Sequence, residues 1–94
     1  MFTNDADLDL LEEILIEVQA VEQKQLVLFN DDVNTFDHVI KTLIKVCKHD
    51  SIQAEQCAMI VHYNGKCTVK TGEFTKIEPM YNSLLEAGLS AQIH

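Results

Sequence analysis

The most informative absence in this sequence of 94 residues is arginine, because all seven of its basic side chains are lysines. Arginine suits phosphate groups best, and the net charge of −8 would itself repel a nucleic-acid backbone. No apolar run approaches the ~20 residues that a membrane-spanning helix needs. No basic segment followed by an apolar stretch resembles a secretion signal. The sequence therefore predicts no nucleic-acid and no membrane partner, and the expected location is the cytoplasm.

Cysteine is scarce, and Cys47, Cys57 and Cys67 form no Cys-x-x-Cys motif. Their odd number and their spacing are typical of reduced thiols, two of which fall on apolar helix faces. A zinc site drawn from Cys47, Cys57, His49 and His62 would match no known ligand spacing. We therefore expect no metal, no other cofactor and no thiol nucleophile.

The negative charge is concentrated in residues 1–23, which hold seven acidic residues and no lysine. Residues 24–94 hold eight acids and seven lysines and are almost neutral. A hydrophobic content of 47% and this length suit one small globular core. We predict a flexible acidic arm over 1–23 and one core domain over 24–94. Residues 4–20 fit either a short amphipathic helix or, at "EILIEV", a strand.

Periodicity and turn residues predict six elements after the arm. The spacing of Ile52 and Met59 helps to define the second helix. In the third helix Pro79 is tolerable only within the first turn, so regular helix is expected from about Glu78 until Gly88. The order β-α-α-β-α-β predicts an α+β fold, in which a three-stranded antiparallel sheet packs against three helices. The predicted elements are a strand over 25–29, helices over 36–48 and 51–63, a strand over 66–71, a helix from about 78, and a strand over 89–93.

The stretch "LVLFNDDVNTFDHV" runs an apolar strand directly into Asn30, Asp31 and Asp32. Together with His62 in "VHYNGK", these side chains offer carboxylate, amide and imidazole acceptors, which suit a primary ammonium group. Each charge-assisted hydrogen bond of this kind contributes ~1.5–3 kcal/mol. The simpler interpretation is a turn before a helix, with the histidine capping a carbonyl at the end of its own helix. Spacing alone favours the simpler interpretation.

The segments "NDDVNTFDHVIKTLIKV" and "AEQCAMIVHYNGK", in register from about Leu26 to Lys66, resemble ClpS, the adaptor of the Clp protease. The resemblance implies the same β-α-α-β-α-β fold and a non-catalytic function without a cofactor. ClpS proteins bind N-degron substrates, which begin with Leu, Phe, Tyr or Trp. They deliver these substrates to the N-terminal domain of an AAA+ unfoldase of the ClpA or ClpC type. We expect the adaptor to be a monomer.

The resemblance also implies roles for eleven residues, which fall into three groups. The residues implied to hold the substrate's α-amino group are Asn30, Asp31 and His62. Those implied to form the rim and bond the first peptide groups are Asp32, Asn34 and Thr35. Those implied to wall a pocket for the first side chain are Phe36, Val39, Ala58, Val61 and Ala91.

Several residues depart from the family's pattern. Phe36 and Ala58 stand where methionine is common, and Ala91 is aligned with a pocket leucine. Ile77 and Asn82 stand where many relatives have the Glu and Lys that contact the unfoldase. Delivery is therefore less firmly implied than substrate binding.

Two other functions fit parts of the sequence. A peptidase could use Asp31, Asp32 and His62, but no nucleophile or metal-ligand motif accompanies them. A structural or interaction module like the C-terminal domain of the large ribosomal stalk protein would share the fold. That alternative gives no reason for the pairing of the acidic turn with a distant histidine.

Overall fold

The computed structural model describes Leu10 and residues 22–94. The predicted arm over 1–23, with its choice between helix and strand, therefore lies almost entirely outside the described residues. Across the described part of the chain, no helix combines the length and the apolar character that crossing a bilayer requires.

Six elements follow one another in the predicted order, and the α+β class is confirmed. The central strand is β1, which pairs antiparallel with β2 on one side and β3 on the other. The boundaries agree with the predictions to within about a residue except at the third helix. The elements are β1 (Lys24–Phe29), α1 (Phe36–Cys47), α2 (Ser51–Asn64), β2 (Lys66–Gly72), α3 (Phe74–Glu86) and β3 (Ser90–Ile93).

The core is built from the central strand and all three helices. Leu26 and Leu28 of β1 are fully buried and pack with Leu43 of α1 and with Ile77 and Leu84 of α3. Each such side chain stabilises the fold by about 1.5–3 kcal/mol. This core fixes the end of β1, from which the Asn-Asp-Asp turn projects.

The start of α3 corrects the prediction that Pro79 marks the first turn. The helix begins at Phe74, so the proline lies in its second turn. The backbone N–H groups of Lys76 and Ile77 both donate to the carbonyl of Glu73, which closes the first turn without help from the proline. Pro79 cannot donate to the carbonyl of Thr75, but Thr75 is exposed, so water can replace the missing partner.

The faces of α2 also differ from a simple amphipathic pattern. Its buried residues are small or compact, namely Ala54, Cys57, Ala58 and Val61. The larger apolar residues that helped to predict the helix, Ile52 and Met59, are exposed. The helix therefore packs through its small residues and presents large apolar side chains outward.

The cysteines of the two helices lie in the core, as predicted. Burial raises the pKa of Cys47 to about 11 and that of Cys57 to about 12, so both thiols stay protonated near neutrality. No three metal-ligating side chains come together within residues 22–94.

A bulge in β2 fastens the end of α1 to the sheet. The pairing of β1 with β2 shifts between Leu26 and Val27, which leaves Val69 as the extra residue. The Nε2 of the buried His49 donates to the Val69 carbonyl at 2.7 Å. The other ring nitrogen of His49, Nδ1, is buried without a partner among the described residues.

Candidate functional site

The turn between β1 and α1 is organised by the carboxylate of Asp31. Its Oδ1 accepts hydrogen bonds from the backbone N–H groups of Val33 (2.9 Å) and Asn34 (2.7 Å). Its Oδ2 accepts a bond from the side-chain amide of Asn34 at 2.8 Å. The backbone N–H of Asn34, followed by its side chain, lowers the pKa of Asp31 below the ordinary value. Asp31 is therefore an ionised carboxylate held in one orientation.

The turn does not use the full capacity of this carboxylate. An ionised carboxylate offers about four acceptor sites, and the turn occupies three of those on Asp31. The prediction that the acidic residues form a turn is therefore correct for Asp31. One acceptor site nevertheless remains for a further donor, so the turn and a binding role are compatible.

The end of α2 is fastened to the same turn. Gly65 adopts a left-handed conformation (φ 91°), and its N–H donates to the Val61 carbonyl at 2.9 Å, which ends the helix. The Gly65 carbonyl accepts a hydrogen bond from the N–H of Asn30, also at 2.9 Å. This bond brings the last turn of α2, which carries His62, beside the Asn-Asp-Asp turn.

The contacts that His62 makes with the described residues are to aromatic rings. Its ring centroid lies 5.1 Å from that of Phe36 and 4.8 Å from that of Tyr63, the latter in an edge-on arrangement. Within residues 22–94 the imidazole makes no hydrogen bond, and so it caps no helix carbonyl there. The simpler interpretation of His62 as a capping residue is therefore wrong. Both ring nitrogens remain available to a ligand.

Two long-range hydrogen bonds tie the turn and α1 to the connection between α3 and β3. Asn34 donates through Nδ2 to the Gly88 carbonyl at 2.9 Å, in addition to its bond with Asp31. His38 donates through Nε2 to the Ala87 carbonyl at 2.8 Å. Thr35 caps α1 by accepting a bond from the N–H of His38 at 3.1 Å. The rim of the site is thus held by bonds within residues 31–38 and by bonds to the connection before β3.

These elements enclose an open pocket of about 350 Å³ with an apolar wall and a polar mouth. Ten of the eleven residues predicted for the site line it together. They are Asn30, Asp31, Asp32, Asn34, Thr35, Phe36, Val39, Ala58, Val61 and His62. Its size is within the range of pockets that bind small molecules and side chains.

The family model for the ATP-dependent Clp protease adaptor protein ClpS matches residues 19–92. The chain belongs to the ClpS family. It is 36% identical over 67 residues to the ClpS of Thermosynechococcus vestitus, covering 70% of this chain and 71% of that one. It is 32% identical over 69 residues to the ClpS of Campylobacter jejuni subsp. doylei, covering 63% of this chain and 72% of that one.

A solved structure of a ClpS protein shares the fold. Agrobacterium tumefaciens ClpS2 bound to L-phenylalaninamide superimposes with a TM-score of 0.67 at 22% sequence identity. The match covers 79% of this chain and 96% of that one. Because ClpS proteins are non-catalytic adaptors of the Clp protease, the expectation that this chain is not an enzyme is confirmed.

The one predicted pocket residue that lies elsewhere in this ClpS chain is Ala91. It is buried in β3 opposite Leu28 of β1, and it does not line the pocket. Leu89 contacts a small recess beside the pocket, which is also lined by Asn30 and Asp31. Because β3 runs antiparallel to β1, Leu89 lies nearer the turn than Ala91 does. Of these two residues of the C-terminal strand region, Leu89 is the one that lies beside the pocket.

The two positions at which this chain departs from the Glu and Lys of many relatives have different surroundings. The side chain of Ile77 is fully buried in the core, so it offers no surface to an unfoldase. Asn82 is exposed on α3 and lines a shallow groove with Phe74 and Glu78. A ClpS-family contact at this helix would therefore use its exposed face.

Proposed function

We propose that this ClpS protein binds N-degron substrates and delivers them to an AAA+ Clp unfoldase of the ClpA or ClpC type. The substrates would begin with a free α-amino group on Leu, Phe, Tyr or Trp. The observation that carries the proposal is an ionised carboxylate at the mouth of an apolar pocket, with a spare acceptor site and an imidazole beside it that makes no hydrogen bond to any described residue. The cytoplasmic location and the monomeric state expected from the sequence remain part of this proposal.

The α-amino group would bind at the polar mouth. A primary ammonium has three donors, and the mouth offers three acceptors that can receive them, on Asp31, Asn30 and His62. Asp31 supplies the charge, and the bonds inside its turn hold it in place, so little ordering is needed on binding. Within the described residues the carboxylate of Asp32 accepts no hydrogen bond, and it would attract the ammonium towards the rim.

The first side chain would enter the apolar part of the pocket, between Phe36 and Val39 of α1 and Ala58 and Val61 of α2. Burying such a side chain contributes about 1.5–3 kcal/mol. Two or three charge-assisted bonds add a similar amount each, and ordering of the peptide opposes both. We therefore expect a dissociation constant in the micromolar range.

Binding is tested by titrating the protein with peptides that differ only in their first residue, followed by fluorescence anisotropy. Peptides beginning with Phe, Trp, Tyr or Leu should bind in the micromolar range, and peptides beginning with Ser or Asp should not bind. Two matched variants separate local from general charge effects. Asp32→Asn removes a rim carboxylate and should weaken binding, whereas Asp37→Asn removes an exposed carboxylate outside the pocket.

An affinity that does not depend on the first residue would contradict the proposed function. So would equal losses in the two aspartate variants, because only one of them lines the pocket. Delivery is tested separately, by measuring degradation of a Phe-first fluorescent protein by a purified Clp unfoldase and peptidase. Degradation that is the same with and without the adaptor would contradict a role in delivery.

A further inference from the structure

A second apolar surface lies between α1 and α2, and we call it the outer groove. It is a concavity of about 520 Å³ whose α2 side presents Ile52, Met59 and Tyr63 and whose α1 side presents Phe36 and Ile40. The three residues of α2 are 66%, 52% and 74% exposed. Contiguous apolar patches on a small protein usually mark a binding surface. None of the core packing described above accounts for these side chains.

The outer groove is continuous with the substrate pocket. Phe36 lines both concavities, and Tyr63 packs edge-on against His62 at the pocket mouth. Thr35, on the rim assigned to the first peptide groups, directly precedes Phe36, so a chain that crosses the rim at Thr35 next meets the groove. From Tyr63 to Ile52 the groove follows α2 for about 16 Å, which corresponds to about five residues of extended peptide.

The charge of the outer groove limits which peptide segments it can bind. Glu55 is the one charged side chain among the described residues that line it. An apolar segment with a lysine or arginine would complement this lining. The acidic arm of residues 1–23 carries seven acids and no lysine, so its charge opposes the groove. A basic, apolar partner is therefore favoured over the protein's own N-terminal segment.

We propose that the outer groove binds the substrate segment that follows its first two residues. That segment is extended and apolar and carries a lysine or arginine opposite Glu55. The inference rests on the proposed function, since the pocket must hold the first residue for the next residues to reach the groove. Binding in the outer groove gives this adaptor a preference among the sequences that follow the N-terminal residue.

Calorimetric titration tests the proposal with peptides that share Phe-Ser at their first two positions. One ends after these two residues, one carries Leu, Ile and Lys within positions three to seven, and one of the same length carries only Ser and Gly. The apolar peptide should bind about tenfold more tightly than the other two. The double variant Ile52→Ser/Met59→Ser should abolish this advantage and leave the affinity for the short peptide unchanged.

Two further variants complete the design. Leu85→Ser replaces an apolar residue of α3 that is 43% exposed and outside both concavities, and it should change neither affinity. Replacing the peptide's Lys with Glu should weaken binding about two- to fivefold, and Glu55→Lys in the protein should reverse that preference.

Equal affinities of the wild-type protein for the short and the apolar peptide would overturn the groove and leave the pocket intact. A double variant that loses the short and the apolar peptide alike would also overturn it, because the residues would then support the pocket structurally. Sedimentation of the free protein gives a third outcome. A wild-type dimer that the double variant converts to a monomer would show that a second copy covers the groove. Failure of every Phe-first peptide to bind would instead contradict the proposed function itself.

Discussion

Replacing Asp31 with asparagine should weaken substrate binding far more than it weakens the fold. An asparagine oxygen can still accept the backbone N–H groups of Val33 and Asn34, so the shape of the turn is retained. The change removes the negative charge and turns Oδ2 into an amide donor that faces the Asn34 amide. The substrate ammonium then meets a donor where the wild-type protein offers an acceptor.

The two effects have different magnitudes. A hydrogen bond to a charged partner contributes about 1.5–3 kcal/mol, so the loss at the ammonium should lower the affinity about 10- to 100-fold. The loss of one bond within this half-buried turn should lower the free energy of unfolding by only about 1 kcal/mol. Asn34→Ala gives a comparison, because it keeps the carboxylate and breaks the same turn bond together with the bond to Gly88. It should lower the free energy of unfolding more than Asp31→Asn does and lower the affinity less.

The pH dependence of stability gives an independent check on Asp31. Hydrogen bonds in the folded protein lower the pKa of this carboxyl group, so the unfolded chain takes up its proton at a higher pH than the folded chain does. The resulting stabilisation is complete above the ordinary pKa of about 3.9 and disappears as the pH falls through the lowered value. The stability difference between wild type and Asp31→Asn should therefore shrink in acid.

Calorimetric titration with a Phe-first peptide and urea unfolding at neutral and acid pH measure these quantities. Binding of Asp31→Asn within about twofold of wild type, with the turn still folded, would contradict a direct role for the carboxylate. An affinity of Asn34→Ala as low as that of Asp31→Asn would contradict it as well, because Asn34→Ala keeps the carboxylate.

Three further predictions follow from named contacts. The protein should bind Phe- and Trp-first peptides more tightly than Leu-first peptides by ~0.5–1.5 kcal/mol, because a substrate ring can pack on Phe36. In a peptide titration, Phe36→Met should remove that preference. A truncated protein starting at Lys24 should bind peptides unchanged but fail to deliver them in the degradation assay, and lost binding would show instead that the arm docks on the core. His49→Ala leaves the buried Val69 carbonyl without its donor and should lower the free energy of unfolding by about 1–3 kcal/mol. An unchanged urea midpoint would show that this bond contributes nothing.

Local sequence patterns predict the central elements of this fold well. The apolar run of β1 stops at Asn30, and Thr35 and Asp50 both cap helices through their side chains. Gly65 ends α2 in the left-handed conformation that few other residues adopt. These features depend on neighbours along the chain, which is why spacing alone identifies them.

Features that depend on contacts between residues far apart in sequence cannot be predicted from local sequence patterns. The register of β3 depends on where α3 ends and on the turn at Gly88, so local spacing does not show that Ala91 lies opposite Leu28, away from the pocket. The bonds from Asn34 and His38 to the connection after α3 join residues far apart in sequence. The hydrophobic periodicity of the sequence does not predict such bonds.

The outward apolar residues of α2 show a second limit. Ile52 and Met59 fit a helical period, but the helix buries its small residues, Ala54 and Ala58. Apolar spacing indicates a helix without indicating which face is buried when both faces are apolar. Only the packing of α2 against α1 and β2 decides between them.

The proposed function requires that the acidic turn and His62 together bind a free α-amino group. The most direct test is an NMR titration of the isotopically labelled protein with L-phenylalaninamide and with its N-acetylated form. The free amine should shift the backbone amide signals of Val33 and Asn34, which donate to Asp31, and the ring signals of His62. The acetylated form should leave them unchanged. Equal shifts with both ligands, or shifts confined to residues outside the pocket, would contradict the account.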